Sequence, residues 1–324
     1  MTGDSSKVRV AFIAGAGFSG STLLEESLSQ VEGCVSIGGL HPMFEHYWPM
    51  MICECGQQHQ DCEFWQGVLA DAYGDPDEQA AKRERARVLG KGFIAHSPRS
   101  ALMNSTPKYS LKAAFRELGT LIEPVYRAVA ARSGAQVVVD SSKAAPWGMS
   151  SLAAPGVDLR VVHLIKDPRA FGYSNGRPHA FFYPPGSTTI PRGPIRSFGN
   201  WGLANMEAEY LARKVPHSMT VLYETLARRP AETLTAIVDM LGVEGSPEIP
   251  VKDGTLTVDR PGHAIGGNPR RPRHGVTPIE FDERWRTEGS RALRTLGPPL
   301  AGPFWWHWKR RAEQSAREQV STSG

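Results

Sequence analysis

Residues Gly15 to Thr22 read GAGFSGST, after the apolar run Val8–Ala14 and before LLEESL. A strand, a glycine-rich turn and a helix together make an anion site. Backbone N–H groups of the first helical turn point at the ligand, and the helix dipole favours negative charge. The first six residues fit G-x-G-x-x-G, a dinucleotide turn; all eight fit G-x-x-x-x-G-K-[ST] with Ser21 where the lysine belongs. A nicotinamide enzyme would also carry a carboxylate at the end of its second strand, to hold ribose hydroxyls. Here that strand runs into SIGGLH, with Gly38 and Gly39. A nucleoside triphosphatase would need the lysine and a magnesium site. The strand-end acid that fits such a site is Asp140 of QVVVD, which keeps a kinase-like reading open. A sulfuryl group carries less charge than a terminal phosphoryl group. Its transfer needs less cationic neutralisation, so amides and hydroxyls can hold most of a phosphosulfate without a lysine or magnesium.

The four cysteines are Cys34, Cys53, Cys55 and Cys62; the last three form C-x-C-x6-C with His59 between them. A zinc site is one reading. Reduced structural thiols of a cytosolic protein are the other. C-x-C is not the usual finger spacing and there is no second C-x-x-C pair, so no metal is assigned.

The elements that must hold these groups read as an α/β pattern. Val8–Ala14, Cys34–Ile37, Gln136–Val139, Leu159–Ile165 and Ser218–Tyr223 are apolar and mostly β-branched. Such runs fit strands of a parallel sheet covered on both faces. Helical patterns lie at 21–31, 78–89, 110–132 (interrupted by Pro124), 202–214 and 229–241. Alternation of the two predicts a three-layer fold with a central parallel sheet. The stretch Gly176–Gly199, rich in proline and glycine, is predicted to be neither helix nor regular strand. With Phe181, Phe182 and Tyr183 it reads as a lid or binding loop. The C-terminal FWWHWKRRAEQSAREQ is expected to pack its tryptophans onto the domain rather than to lie on a membrane. The 324 residues are thus read as a single domain, with an inserted loop at 176–199 and a C-terminal extension from about 300 to 324.

Several separated motifs, in order, resemble the sulfotransferases that use 3′-phosphoadenosine 5′-phosphosulfate (PAPS), bacterial members in particular. The resemblance spans roughly residues 8 to 275. GFSGSTLL is similar to the family's 5′-phosphosulfate loop, with Ser19, Gly20, Ser21 and Thr22 matching, Gly17 expected to bind beside them, and Phe18 standing where lysine or arginine is usual. LIKDPRAFGYS resembles the 3′-phosphate motif, whose two binding residues fall at Lys166 and Ser174. Lysine for arginine there keeps the charge but loses the bidentate fork, and Arg169 is a candidate to compensate. VLYETLARRP resembles a segment that places Tyr223 near adenine, and GNPRRPRHG a late loop whose arginines are Arg270 and Arg271. VVVDSSKAAP resembles a segment that puts Lys143 beyond the third core strand, where it stands as the replacement for the cation lost at Phe18. The cysteine stretch also has relatives there, as a structural element of the family.

The resemblance implies a P-loop-like sulfotransferase fold and transfer of a sulfuryl group to a hydroxyl. PAPS is the implied donor, adenosine 3′,5′-bisphosphate the product, and no metal is required. Relatives carry glutamate after the second strand; the chain has Gly38-Gly39 there, and His41 follows. Histidine titrates near neutral pH, so His41 is the candidate base, with Glu45 behind it. Phe181, Phe182 and Tyr183 suit an apolar or aromatic small-molecule acceptor of the natural-product kind. A kinase-like enzyme and a non-catalytic nucleotide-binding relative remain alternatives. The formal net charge of +4 is compatible with an anionic ligand; no nucleic-acid partner and no membrane insertion are expected. The first ten residues, MTGDSSKVRV, contain no signal-peptide apolar stretch, which makes a cytoplasmic location the expectation.

Overall fold

The computed structural model of the chain describes residues 7–95, 111–180, 188–260, 262–265 and 275–322. Strands β1 (Val8–Ala14), β2 (Cys34–Gly38), β3 (Val137–Lys143), β4 (Val157–Ile165) and β5 (Ser218–Leu222) form one parallel sheet in the order β2-β3-β1-β4-β5. In register, β1 runs from Val8 opposite Val157 to Ala14 opposite His163 on β4. On its other side Arg9 pairs with Val137 and Ala14 with Lys143 of β3.

Both faces of this sheet are buried, which is why its strands read as apolar runs rather than as alternation. Val10, Phe12, Ala14, Val138 and Val161 face one layer. Ala11, Ile13, Val139, Val162 and Leu164 face the other. The second layer is built from α1 (Ser21–Ser29), whose Leu24 and Leu28 are fully buried. On the first layer lie α2 (Glu63–Tyr73), α3 (Pro76–Ala95), α4 (Leu111–Ser133) and α5 (Ala145–Ala153). After β4 come α6 (Pro168–Asn175) and α7 (Pro194–Ala212); after β5 come α8 (Tyr223–Arg228) and α9 (Pro230–Leu241). Short α10 (Trp285–Glu288) precedes α11 (Arg291–Thr322).

Helix α4 continues through Pro124 instead of breaking there. A mid-helix proline costs about 3 kcal/mol. Leu118, Ile122, Val125 and Val129 are each fully buried on that helix, and each such side chain stabilises by about 1.5–3 kcal/mol, so packing wins. The stretch 176–199 also departs from expectation: its last six residues are helical. Pro194 occupies the first turn of α7, where proline's fixed φ suits a helix and its missing N–H is not needed. Phe198 is therefore a core residue packed with Phe171 and Trp201.

The C-terminal tryptophans divide. Trp308 is buried and donates its indole N–H to Glu209 Oε2 at 2.9 Å, while Trp306 is 61% exposed. Burial alone would raise the Glu209 carboxyl, but hydrogen bonds from His307, Trp308 and Arg213 outweigh it and hold the group down to about 2. This end of α11 is thus pinned to α7. A small antiparallel sheet, β6 (Val251–Lys252), β7 (Thr255–Val258) and β8 (Gly275–Pro278), was not foreseen. Among the described residues no helix is long and apolar enough to cross a membrane.

Candidate functional site

Because the five strands are parallel, their C-terminal ends share one edge of the sheet. Each delivers a residue singled out by the sequence: Gly17–Thr22 after β1, His41 after β2, Lys143 on β3, Lys166 after β4 and Tyr223 after β5. From β1 the chain crosses to one side for β2 and β3, then to the other for β4 and β5. Such a reversal opens a crevice at the carboxyl ends of the strands.

The turn after β1 is tightly determined. Gly20 caps α1 in a left-handed conformation, φ 87°, and a Cβ there would fall 2.3 Å from Tyr223 Cδ2. Glycine is needed both for the backbone angle and for the ring packed against it. Ser19 is buried, and its Oγ has no hydrogen-bond partner among the described residues. A buried hydroxyl without a partner is costly, so this oxygen is the group in the turn that a ligand would satisfy. Ser21 is buried at the start of α1, Thr22 half-buried and Gly17 exposed. Phe18 also has a left-handed backbone, φ 61°. Its ring packs on His179 with centroids 4.7 Å apart. His179 in turn donates from Nε2 to the Ser174 carbonyl on α6, 2.7 Å away.

His41 begins a short 3-10 turn, His41–Phe44, beyond β2. What fixes it is a buried polar knot on β3. Asp140 accepts from Tyr126 Oη at 2.6 Å, from the Ser142 amide at 2.7 Å and from the Leu40 amide at 3.4 Å. Ser142 Oγ also accepts from the Leu40 amide, at 2.9 Å. Burial raises the Asp140 carboxyl and these donors oppose the shift. Asp140 thus anchors Leu40-His41 from inside the protein, with both of its oxygens already accepting hydrogen bonds. His41 is pushed below its ordinary value, first by desolvation and then by the charge of Lys143. The residue nonetheless reaches the surface. The ring is neutral at neutral pH and can accept a proton.

Lys143 is half-buried, with φ 67°, and donates from Nζ to the Ser141 carbonyl at 2.7 Å; its own carbonyl accepts from the Gly15 amide at 3.1 Å. Two non-glycine residues with left-handed backbone, Phe18 and Lys143, thus border one crevice, and strain of this kind gathers at functional sites. Beneath them Glu25 of α1, fully buried, accepts from Ser36 Oγ and Ser141 Oγ, both at 2.6 Å. It ties α1 to β2 and β3.

Lys166 is buried, with Nζ 4.4 Å from the Tyr223 ring centroid. Its burial lowers the ammonium from its ordinary value, while Asp282 and Glu224 favour the charge. Glu224 accepts from the Asp167 amide at 2.9 Å, but its Oε2 is buried without a partner among the described residues. Burial raises this carboxyl to about 7. Arg169 does not stand free to assist Lys166. It forks onto Asp167 at 2.7 and 3.0 Å and stacks on Trp285, 4.3 Å from the ring centroid. Ser174 lies half-buried on α6.

Glu45 sits at ion-pair distance, 4.0 Å, from Lys91 of α3. Arg270, Arg271, Phe181, Phe182 and Tyr183 lie outside the described residues. A cavity of about 590 Å³ adjoins α6, lined by Tyr173, Arg177, Arg192 and Glu288 among others; neither the β1 turn nor Lys166 lines it. Three site residues escaped the sequence reading: Glu25, His179 and Glu224. Glu224 sat in the YET segment as a visible signal; the other two are placed by partners far away in the chain. His59 does not join the thiols. It is buried between Trp48 and Trp65, with both ring nitrogens unpartnered among the described residues.

A central parallel sheet of this order, helices on both faces and a glycine-rich turn after β1 give the chain the fold of sulfotransferase domains. The sulfotransferase domain from the Synechococcus PCC 7002 olefin synthase is similar over 94% of this chain and 96% of its own, with 20% identity and a TM-score of 0.50. The sulfotransferase domain from the curacin biosynthetic pathway is similar over 93% and 98%, with 16% identity and a TM-score of 0.50. No protein-family model matches the chain, and no curated protein matches it in sequence.

Proposed function

We propose that this chain is a sulfotransferase that moves the sulfuryl group of PAPS to a hydroxyl of a small-molecule acceptor. The observation that carries the reading is the buried Ser19 hydroxyl without a partner, in a left-handed turn at the same sheet edge as Lys143 and Lys166. Such a turn suits the phosphosulfate end of the donor: backbone amides and the hydroxyls of Ser19, Ser21 and Thr22 donate hydrogen bonds to its oxygens. Lys166 and Ser174 serve the 3′-phosphate and Tyr223 the base. Arg270 and Arg271 complete the same set. When bound, the donor supplies an activated sulfuryl group on a phosphate leaving group.

The chain's own task is then to bind, to orient and to manage one proton. Neutral His41 takes the proton of the acceptor hydroxyl. Lys143 supplies the positive charge that Phe18 does not, stabilising charge that develops on the transferring and leaving oxygens. Phe18, packed on His179, shapes the turn by contact. An apolar acceptor is supported by Ile190, 84% exposed between α6 and α7, and Ile195, 71% exposed in the first turn of α7. Cytoplasmic action on a natural-product-like acceptor completes the proposal, within a single domain spanning the chain.

Titration calorimetry with adenosine 3′,5′-bisphosphate and no added magnesium tests the reading. Binding tighter than that of ATP with magnesium is expected; a preference for ATP with magnesium would sink it. A non-catalytic relative would bind the bisphosphate and yet yield no sulfated product with any acceptor.

A further inference from the structure

The three thiols of the cysteine stretch meet a fourth donor that lies some two hundred residues away in the chain. Cys53, Cys55, Cys62 and His263 bring one ligand atom each to within 4.8 Å of one another. Cys53 and Cys62 are 3.8 Å apart at Sγ, and Cys55 and Cys62 3.7 Å. His263 Nδ1 stands 3.4 Å from Cys62 Sγ and 3.7 Å from Cys53 Sγ. A tetrahedral zinc ion, with Zn–S of about 2.3 Å and Zn–N of about 2.0–2.1 Å, sets neighbouring sulfurs about 3.8 Å apart and sulfur to nitrogen about 3.5 Å. These separations match that tetrahedron. A disulfide would need about 2.05 Å between sulfurs and would leave one thiol over.

We propose that these four residues bind one zinc ion in a closed Cys3His site that staples residues 262–265 to the cysteine loop. The surroundings are built for it. Gly56, in a left-handed turn with its amide donating to the Cys53 carbonyl at 2.9 Å, doubles the chain back between Cys55 and Cys62. Cys62 leads directly into α2, fixing the third sulfur. The His263 ring is held flat against Phe64, centroids 4.4 Å apart and planes 9° apart, and its carbonyl accepts from Trp65 Nε1 at 2.7 Å. Orientation of the ligating imidazole by such neighbours is a usual feature of zinc sites.

Four protein ligands leave no position for substrate, so the role is structural. The consequence reaches the site all the same. Two residues after His263, Ile265 donates its amide to the Ile37 carbonyl at 2.8 Å and bridges Gly38, at the end of β2. The staple therefore fixes a strand-like segment beside the turn that carries His41. Its existence does not depend on the donor or the reaction.

The full chain, purified with reductant and without added chelator, should contain about one zinc per molecule by elemental mass spectrometry. Replacement by cobalt(II) should give thiolate charge-transfer absorption and the intense visible bands of a tetrahedral ion. Cys55→Ser, at the exposed rim, and His263→Ala should each weaken cobalt binding at least about tenfold. Both should keep a native circular dichroism spectrum, and Cys34→Ala should leave cobalt binding unchanged. Metal-free protein that gives no tetrahedral cobalt spectrum overturns the proposal. So does a native disulfide between two of the three thiols, or a cobalt spectrum that neither variant alters.

Discussion

The imidazole of His41 lies against the α-carbon of Gly39: a Cβ built on Gly39 would meet His41 Nδ1 at 3.4 Å and Cε1 at 3.6 Å. A side chain at position 39 would start from the space that the ring now faces. A carboxylate at position 39 and the imidazole at 41 would thus compete for one location. His41→Ala should lower turnover by about 10²–10⁴-fold without changing bisphosphate affinity. Adding Gly39→Glu to His41→Ala should return part of the lost rate, read by steady-state assay with PAPS. A single His41→Ala variant of normal turnover would remove the base assignment.

Lys166 and Arg169 make unequal predictions although they are three residues apart. Lys166→Met should weaken adenosine 3′,5′-bisphosphate binding by about 10–100-fold, the equivalent of a charge-assisted hydrogen bond of about 1.5–3 kcal/mol. Lys166→Arg should retain most of the affinity. Arg169→Met should lose less than Lys166→Met, because Arg169 is already paired with Asp167. Calorimetry that ranks Arg169 as the costlier loss would show that this pair opens on binding.

Gly20→Ala sets a methyl group 2.3 Å from the Tyr223 ring on a left-handed backbone. Overpacking and strain together should destabilise the fold by about 1–3 kcal/mol, seen in chemical denaturation. Bisphosphate affinity should fall with it. Unchanged stability and affinity would mean that the ring moves aside freely.

The Glu224 carboxyl, raised to about 7 from 4.5, has a defined signature. Between those values the native state keeps a proton that the unfolded chain has released. Stability from this group is full below about pH 4.5 and is lost as pH rises through about 7. Glu224→Gln, neutral throughout, should lack that decline. Melting curves from about pH 4.5 to pH 8 should show the wild type losing ground to the variant; parallel curves would contradict the assignment.

Much of this architecture is legible locally. The five parallel strands announce themselves because burial on both faces demands apolar residues at odd and even positions alike, as in Val8–Ala14. The β1 turn is legible because its glycines and hydroxyls sit side by side. What local pattern cannot carry is a partner remote in sequence. His263 reaches Cys62 across the fold, and His59, nearer in the chain, is stacked away between tryptophans. Even a near pair can hide: Arg169 and Asp167 are two residues apart, and the turn at the start of α6 is what brings their side chains together. Pro194 looks like a breaker, because a proline that starts a helix and one that ends it are the same residue in different company.

The most direct test of the central claim is a transfer reaction without added magnesium. The chain is incubated with PAPS and a panel of hydroxylated aromatic and apolar acceptors, and products are read by mass spectrometry. The account predicts a sulfated acceptor formed in step with adenosine 3′,5′-bisphosphate, and its loss in Lys143→Met and His41→Ala. Failure of the chain to bind the bisphosphate, or phosphoryl transfer from ATP that requires magnesium, would contradict it.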